Sequence, residues 1–179
     1  METEIVKTDD LTAEQVEFIN KFILIEFDVY LIQPLRFSDT SRFVLVKDEE
    51  QVVAFCRIFD TKMEFMQKEY SILGFSMVYS IIKSKGFGKR LMKEIQKLSD
   101  SENKILIGNC ESKNTIFYEK SGLKVLENTI KRFVYINQRN IAEINNNSSI
   151  VLIHDPTNKF LQELQDSPNE NIFIFEHWW

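Results

Sequence analysis

A short basic segment that contains two glycines, residues 78–92, has the residue types and spacing of an anion-binding loop. Gly86 and Gly88 can adopt backbone angles that a Cβ would forbid, and they allow a ligand to approach the main chain closely. The amides of residues 84–89 would lie at the start of a predicted helix, whose dipole favours negative charge. Four cations fall within eight residues: Lys83, Lys85, Lys89 and Arg90. The segment therefore predicts a phosphate-binding loop.

Two simpler interpretations of this loop stay open at the level of sequence. A Gly-x-Gly pair also makes an ordinary tight turn, and lysine-rich loops are usually solvated surface. Residues 86–90 are not a P-loop, because the second glycine, its spacing and the hydroxyl residue after the lysine are missing. They are not a dinucleotide-binding fingerprint either, because the third glycine is absent.

Length and composition predict one soluble globular domain. The chain has 179 residues, of which 44% are apolar and 27% are charged. Its net charge of −5 argues against general nucleic-acid binding, which needs a broad basic face. Cys56 and Cys110 provide neither a disulfide framework nor the spacing of a metal site. No signal peptide or membrane span is evident, so a cytoplasmic protein with no metal, no nucleic-acid partner and no membrane partner is expected.

Local patterns predict a mixed α/β domain in which early strands are followed by alternating strands and helices. Strands are predicted over residues 3–7, 43–46, 52–56, 72–79, 104–107, 131–136, 150–153 and 171–179. Helices are predicted to begin near Thr12, Phe87, Asn114 and Asn158, with Gly122 as a left-handed cap of the third. Pro34 ends the first helical region, and the polar segment 137–149 is predicted to be a loop or linker.

Two motifs in this order resemble the GNAT superfamily of N-acetyltransferases. Residues 83–88, Lys-Ser-Lys-Gly-Phe-Gly, resemble the family's acyl-CoA-binding loop, although Lys83 replaces the usual Arg or Gln. Residues 104–122 resemble the family's strand followed by Asn…Phe-Tyr-x-Lys-x-Gly, with Leu123 in place of the usual Phe. The second motif is most similar to that of glucosamine-6-phosphate N-acetyltransferases. Their acidic pair is replaced here by Gly74-Phe75, so the amino-sugar substrate is not predicted.

The resemblance implies a fold, a cosubstrate and a set of binding residues. The implied fold is a mostly antiparallel twisted sheet flanked by helices, with a core over residues 1–136 and a C-terminal strand–helix–strand extension over residues 137–179 packed on it. The implied cosubstrate is acetyl-CoA, held partly by backbone pairing along the end of the strand at Met77-Val78, where strands ending at Val78 and Asn109 would splay. The implied binding residues are Met77, Val78, Lys83, Ser84, Lys85, Gly86, Phe87, Gly88, Lys89, Arg90, Asn114, Phe117, Tyr118 and Lys120.

The resemblance also assigns catalytic roles. Tyr118 matches the family tyrosine that hydrogen-bonds the CoA sulfur and acts as general acid, whereas without the resemblance it reads as a half-buried core residue. Asn114 reads equally well as a helix N-cap. The general base stays open. Glu111 is assigned to this role here, and Glu69, a water relay and the two histidines, His154 and His177, are the alternatives.

The acceptor is predicted to be a primary amine of a small molecule or a peptide. The resemblance places the acceptor site in residues 25–42, with Phe27, Tyr30 and Arg36, together with the C-terminal segment. The aromatic residues 173–179 are more typical of a contact that docks the last strand, or of a homodimer contact, than of a substrate wall. The alternative to an enzyme is a non-catalytic module of the same fold that binds CoA or a protein.

Overall fold

The structure, a computed structural model, describes residues 1–27, 41–136, 142–144 and 150–174. Its strands are β1 (Glu2–Lys7), β2 (Arg42–Asp48), β3 (Gln51–Phe65), β4 (Lys68–Ser80), β5 (Ile105–Cys110), β6 (Lys124–Leu126), β7 (Phe133–Ile136), β8 (Ala142–Ile144), β9 (Ile150–His154) and β10 (Ile172–Ile174). Its helices are α1 (Ala13–Phe27), α2 (Phe87–Glu102), α3 (Thr115–Lys120) and α4 (Lys159–Asp166). The chain forms two compact units, residues 1–59 with 75–95 and residues 60–74 with 96–179.

In the first unit, β1, β2 and β3 form an antiparallel array. β1 pairs along its whole length with β2, from Glu2 opposite Lys47 to Lys7 opposite Arg42. β2 pairs with β3, and the register shifts by one residue between Val46 and Lys47. The predicted edge strand and the predicted hairpin are therefore both confirmed, since within the described residues β1 has no second neighbour.

Helix α1 supplies the core of the first unit. Its N-terminus is the predicted capping box, because the Thr12 amide donates to Gln15 Oε1 at 2.9 Å and the Gln15 amide donates to Thr12 Oγ1 at 3.2 Å. One helical turn apart, Ile19 and Ile23 are fully buried and belong to an apolar cluster. The strand residues of that cluster are Val6, Phe43, Leu45 and Phe55.

In the second unit, β9 is a central strand. It pairs antiparallel with β5 along one edge and with β6 along the other. β5 in turn pairs in parallel with β4, over Ile72–Gly74 and Ile105–Ile107. The residues of β9 are buried up to Ile153, as expected for a strand with a neighbour on each side.

A second group of strands in the same unit contains β10. This strand pairs antiparallel with β3, with Ile172 opposite Phe65, and in parallel with β7, with Ile172 opposite Phe133. β8 pairs antiparallel with β7, so the prediction of a loop over residues 137–149 is wrong for Ala142–Ile144. A partner strand overrides the weak local preference of this polar segment. The division into a core of residues 1–136 and an extension stays a prediction.

Strands β3 and β4 are joined by a two-residue turn that the sequence did not reveal. Met66 and Gln67 have φ angles of 51° and 62°, which are the left-handed angles of a type I′ hairpin turn. The prediction that the strand ends near residue 56 is therefore wrong, because β3 continues to Phe65. None of the helices in the described ranges is long and apolar enough to cross a membrane.

Candidate functional site

The predicted binding stretch in the first unit begins with a distortion in β4. Met77 has a φ of 56°, although it lies inside a strand and is not a glycine. A left-handed residue costs about 1–2 kcal/mol for an L-amino acid and distorts the extended backbone of a strand locally. Cys56 Sγ on β3 donates to the carbonyl of the preceding residue, Ser76, at 3.2 Å. The strand is thus locally distorted at the position where the resemblance implies pairing with the cosubstrate.

The loop after β4 has the open, left-handed backbone that an anion cradle requires. Ser84 and Gly86 have φ angles of 66° and 84°, and the space where a Cβ of Gly86 would stand is empty to 4 Å. The Gly86 carbonyl accepts a hydrogen bond from the Arg90 amide at 2.9 Å, so α2 begins directly after this glycine. The first amides of a helix have no partner within the helix, and they can therefore donate to a ligand.

The side chains of the loop divide into exposed cations and a buried anchor. Lys83, Lys85 and Lys89 are exposed, which leaves their ammonium groups available to an anion. Arg90 is also exposed, and its Nε donates to Glu94 at 3.2 Å, one turn further along α2. Phe87 is only 7% exposed, and its helical neighbours Leu91 and Ile95 are fully buried. Phe87 can therefore contribute its amide but not its ring to a ligand.

The second predicted stretch, residues 104–122, lies in the second unit. Glu111 is exposed and pairs with Lys113 at 2.7 Å, with about 70% of each side chain accessible. That geometry is typical of a surface ion pair and gives no sign of the burial that adapts a carboxylate to proton abstraction. The assignment of Glu111 as the base stays a prediction that the structure does not strengthen.

Helix α3 places the four residues of the second motif in different environments. Asn114 is exposed and stands at the N-cap position, but its side chain makes no capping hydrogen bond. Tyr118, one turn later, is only 8% exposed, and its ring meets that of Phe117 edge-on at 4.9 Å between centroids. Phe117 is 37% exposed and Lys120 is exposed. The left-handed cap at Gly122, with a φ of 95°, is as predicted.

The remaining candidates for chemistry are paired or buried. Glu69 pairs with Lys62 at 2.7 Å on the surface, and His154 Nε2 lies 2.7 Å from Asp100 Oδ1. Burial raises the pKa of the Cys110 thiol to about 11, so it is protonated at neutral pH and a poor nucleophile. The described residues contain no group of three or more side chains that could hold a metal ion.

The predicted acceptor region falls mostly outside the described residues. This holds for Tyr30, Arg36, the side chain of Phe27 and residues 175–179, which include His177. The left-handed backbone at Met77 was not predicted, because a methionine in the sequence does not indicate a positive φ angle. Sequence reasoning also missed Arg57, which the structure holds through two hydrogen bonds to Ser41.

No protein-family model and no curated protein matches this sequence. Solved structures do match. ElaA from Escherichia coli is similar with a TM-score of 0.58 and 14% identity, over 86% of this chain and 99% of that chain. An acyl-CoA N-acyltransferase from Pseudomonas aeruginosa has a TM-score of 0.56 and 14% identity over the same shares. YhbS, a GNAT family N-acetyltransferase from Escherichia coli solved in complex with CoA, has a TM-score of 0.57 and 10% identity over 98% of this chain and 89% of that chain.

These similarities show that the chain has the GNAT fold. The strand pairing is mixed and mostly antiparallel, and four helices accompany it within the described residues. The predicted fold class is therefore confirmed. The finer similarity of the second motif to glucosamine-6-phosphate N-acetyltransferases stays a prediction.

Proposed function

We propose that this chain, which has the GNAT fold, is an acyl-CoA-dependent N-acyltransferase that transfers the acetyl group of acetyl-CoA to a primary amine of an acceptor still to be identified. One observation carries the proposal. Strand β4, whose backbone is left-handed at Met77, leads into an exposed loop in which Ser84 and Gly86 are also left-handed, and the loop ends at the N-terminus of a long helix. Such a segment can hold an extended, anionic ligand by its backbone.

The loop is proposed to bind the pyrophosphate of the cosubstrate. Amides in the first turn of α2 donate to the anion, and the exposed Lys83, Lys85 and Lys89 add positive charge around it. The empty space beside Gly86 supports this assignment, because a phosphate oxygen can approach the main chain there. Arg90 contributes less than its charge suggests, since it is already paired with Glu94.

The end of β4 that is distorted at Met77 is proposed to orient the acyl end. The backbone at Met77 and Val78 is assigned to pair with the pantetheine arm as an added strand does. The backbone amide that follows Met77 and Val78 in the chain is the proposed hydrogen-bond donor to the oxygen of the reacting carbonyl. When bound, acetyl-CoA supplies the activated thioester carbon that the amine attacks.

Two proton transfers complete the proposal. The Tyr118 hydroxyl is assigned to protonate the departing thiolate, in accordance with the resemblance of its motif. A water relay is preferred to Glu111 for the proton of the amine, because Glu111 is exposed and paired with Lys113. Asn114 and Phe117 are assigned to the cosubstrate, since both present exposed side chains on the same short helix as Tyr118.

The proposed activity predicts release of free CoA thiol from acetyl-CoA in the presence of an amine. The full chain is incubated with acetyl-CoA and a panel of primary amines, and free thiol and acetylated amine are measured together. We expect the two products to form in equal amounts with at least one amine class, at a rate above that without protein. A chain that binds CoA but forms no acetylated amine would contradict the enzyme and favour the non-catalytic CoA-binding module.

A further inference from the structure

A groove in the first unit lies beside helix α1. Its walls are α1, the turn between β2 and β3 with the residues next to it, and the two residues after β4. Its volume is about 570 Å³, which is within the size range of small-molecule sites. Its apolar lining residues are Phe18, Phe22, Val52, Val53, Ile81 and Ile82. The groove can therefore take the apolar part of a small ligand.

The wall after β4 is held by two hydrogen bonds to main-chain oxygens. The Ile81 amide donates to the Val53 carbonyl at 3.0 Å, and Ser80 Oγ donates to the Ile82 carbonyl at 3.1 Å. Ile81 is half-buried and Ile82 is 47% exposed. The backbone that carries these two side chains is thus fixed, although the side chains are accessible. A ligand that covers them gains apolar contact without ordering this part of the chain.

The wall formed by α1 presents aromatic rings. Phe18 and Phe22 lie one turn apart, with 4.9 Å between ring centroids, and the Phe22 ring lies 5.1 Å from that of Tyr79 on β4. Both phenylalanines are only half-buried, although they pack against the apolar cluster of the first unit. Lys21 Nζ lies 5.8 Å from the centre of the Phe22 ring. Because aromatic ring faces attract cations, this wall suits an apolar or a cationic ligand better than an anion.

The rim of the groove is acidic. Glu14, in the first turn of α1, and Glu50, in the turn between β2 and β3, both line the groove and are exposed. In the part of the chain that the structure describes, neither carboxylate has an ion-pair partner. Lys47 also lines the groove, but its Nζ lies 2.6 Å from Glu4 Oε2. The pKa of Lys47 is raised, chiefly by its hydrogen bond to Glu4 and to a smaller extent by Glu50. The lining therefore has an excess of negative charge.

We propose that this groove binds an amphipathic organic cation, in which an ammonium group is attached to an apolar body. Glu14 and Glu50 hold the ammonium, and the apolar body covers Phe18 and Ile82. The inference goes beyond the proposed function, because binding requires no acyl transfer and none of the residues assigned to the cosubstrate lines the groove. The opposing account is a solvated surface, in which Glu14 only complements the dipole of α1.

The test is calorimetric titration of the full chain at neutral pH with hexylamine, 1-hexanol and hexanoate. These three probes share one alkyl chain and differ in charge. We expect hexylamine to bind at one site about 5- to 10-fold more tightly than 1-hexanol, as is typical of an ammonium held by two partly exposed carboxylates. Hexanoate should bind more weakly than 1-hexanol. Ethylamine, which has the charge without the apolar body, should bind at least about 10-fold more weakly than hexylamine.

Paired substitutions of carboxylates test where the cation lies. Glu14→Gln together with Glu50→Gln should reduce the preference for hexylamine over 1-hexanol to within about twofold. Glu17→Gln together with Glu49→Gln is the matched control, because it removes two exposed carboxylates from the same helix and the same turn that do not line the groove. The control pair should leave the preference unchanged.

Ile82→Ser tests where the apolar body lies. It should weaken hexylamine and 1-hexanol alike by at least about threefold, because the apolar contact is lost and the charge is kept. Since Ile82 is 47% exposed, this variant should melt within a few degrees of the native chain.

Four results would overturn this inference. They are no binding of hexylamine, equal binding of hexylamine and 1-hexanol, a preference that survives the paired change at Glu14 and Glu50, and native affinity for hexylamine in Ile82→Ser. Each would leave the groove as solvated surface or place the cation elsewhere. Because the titrations contain no acetyl-CoA, their outcome does not depend on whether the chain transfers an acetyl group.

Discussion

Replacing the Tyr118 hydroxyl by hydrogen should lower kcat by at least about 100-fold while leaving the affinity for acetyl-CoA within about threefold. A positioned general acid contributes about 10²- to 10⁴-fold to a proton-transfer step, and Tyr118→Phe removes only the proton donor. The ring, which is 8% exposed and packs against Phe117, is retained. The measurement is steady-state turnover with an amine found in the acceptor screen, beside calorimetric titration of acetyl-CoA.

Tyr70→Phe provides the matched control for this change. The Tyr70 hydroxyl donates to Glu163, and burial and this hydrogen bond raise the pKa of Tyr70, yet the residue lies in neither predicted binding stretch. Tyr70→Phe loses the same phenolic oxygen and should therefore leave kcat unchanged. A Tyr118→Phe chain that turns over within threefold of the native rate would remove the general-acid assignment.

Asp155→Ala should lower the free energy of unfolding by about 2–4 kcal/mol. Asp155 is 6% exposed and joins the end of β9 to the start of α4. Its Oδ1 accepts from the Thr157 amide at 3.0 Å and from the Thr157 hydroxyl at 3.1 Å, and its Oδ2 accepts from the Leu161 amide at 3.1 Å. Alanine leaves the Leu161 amide without this partner in a buried setting, and such a loss is expensive.

Urea unfolding of the full chain measures this cost. Asp166→Ala is the control, because Asp166 accepts one exposed hydrogen bond from Gln162 and should change stability by about 0.5 kcal/mol or less. The loss of unfolding free energy in Asp155→Asn should lie between those of Asp155→Ala and Asp166→Ala, since asparagine keeps one oxygen acceptor. If Asp155→Ala and Asp166→Ala unfold at the same urea concentration, Asp155 does not stabilise the start of α4.

The elements with strong local signals were predictable from the sequence. Helix α1 begins at a capping box, and α2 shows apolar residues at helical spacing, with Phe87, Leu91 and Ile95 all buried. In these elements the backbone conformation is determined by residues that are close in sequence. The glycine cap at Gly122 belongs to the same class, because its left-handed angle is a property of one residue.

The elements that depend on distant partners were not predictable. The turn at Met66 and Gln67 has left-handed angles without a glycine or an asparagine, so the strands on either side impose it. The position of β10 between β3 and β7 depends on chain segments about 40 and 110 residues away, which no local pattern encodes. Strand β8 arises in a polar segment for the same reason, since its pairing with β7 decides its conformation.

The same distinction between local signals and distant partners applies to the candidate site. The glycine loop was recognisable because residue types and spacing alone carry its chemistry. The left-handed Met77 and the Ser41-supported Arg57 were not recognisable, because the first is a strained residue with an ordinary side chain and the second depends on pairing between β2 and β3. Residue types and spacing alone therefore predicted the loop, but not the backbone and side-chain arrangements that depend on pairing between strands.

Thermal unfolding with and without acetyl-CoA, for the native chain and two variants at Gly86, tests the central claim most directly. Gly86→Asn and Gly86→Asp introduce side chains of the same size at a φ of 84°, where nothing lies within 4 Å, and they differ by one negative charge. Acetyl-CoA at a hundred times its dissociation constant should stabilise the native chain by about 2.7 kcal/mol, which corresponds to roughly 5–10 °C. Gly86→Asn should retain most of this shift and Gly86→Asp should lose it, because a carboxylate repels the phosphates. Equal shifts in both variants, or no shift in the native chain, would contradict cofactor binding at this loop.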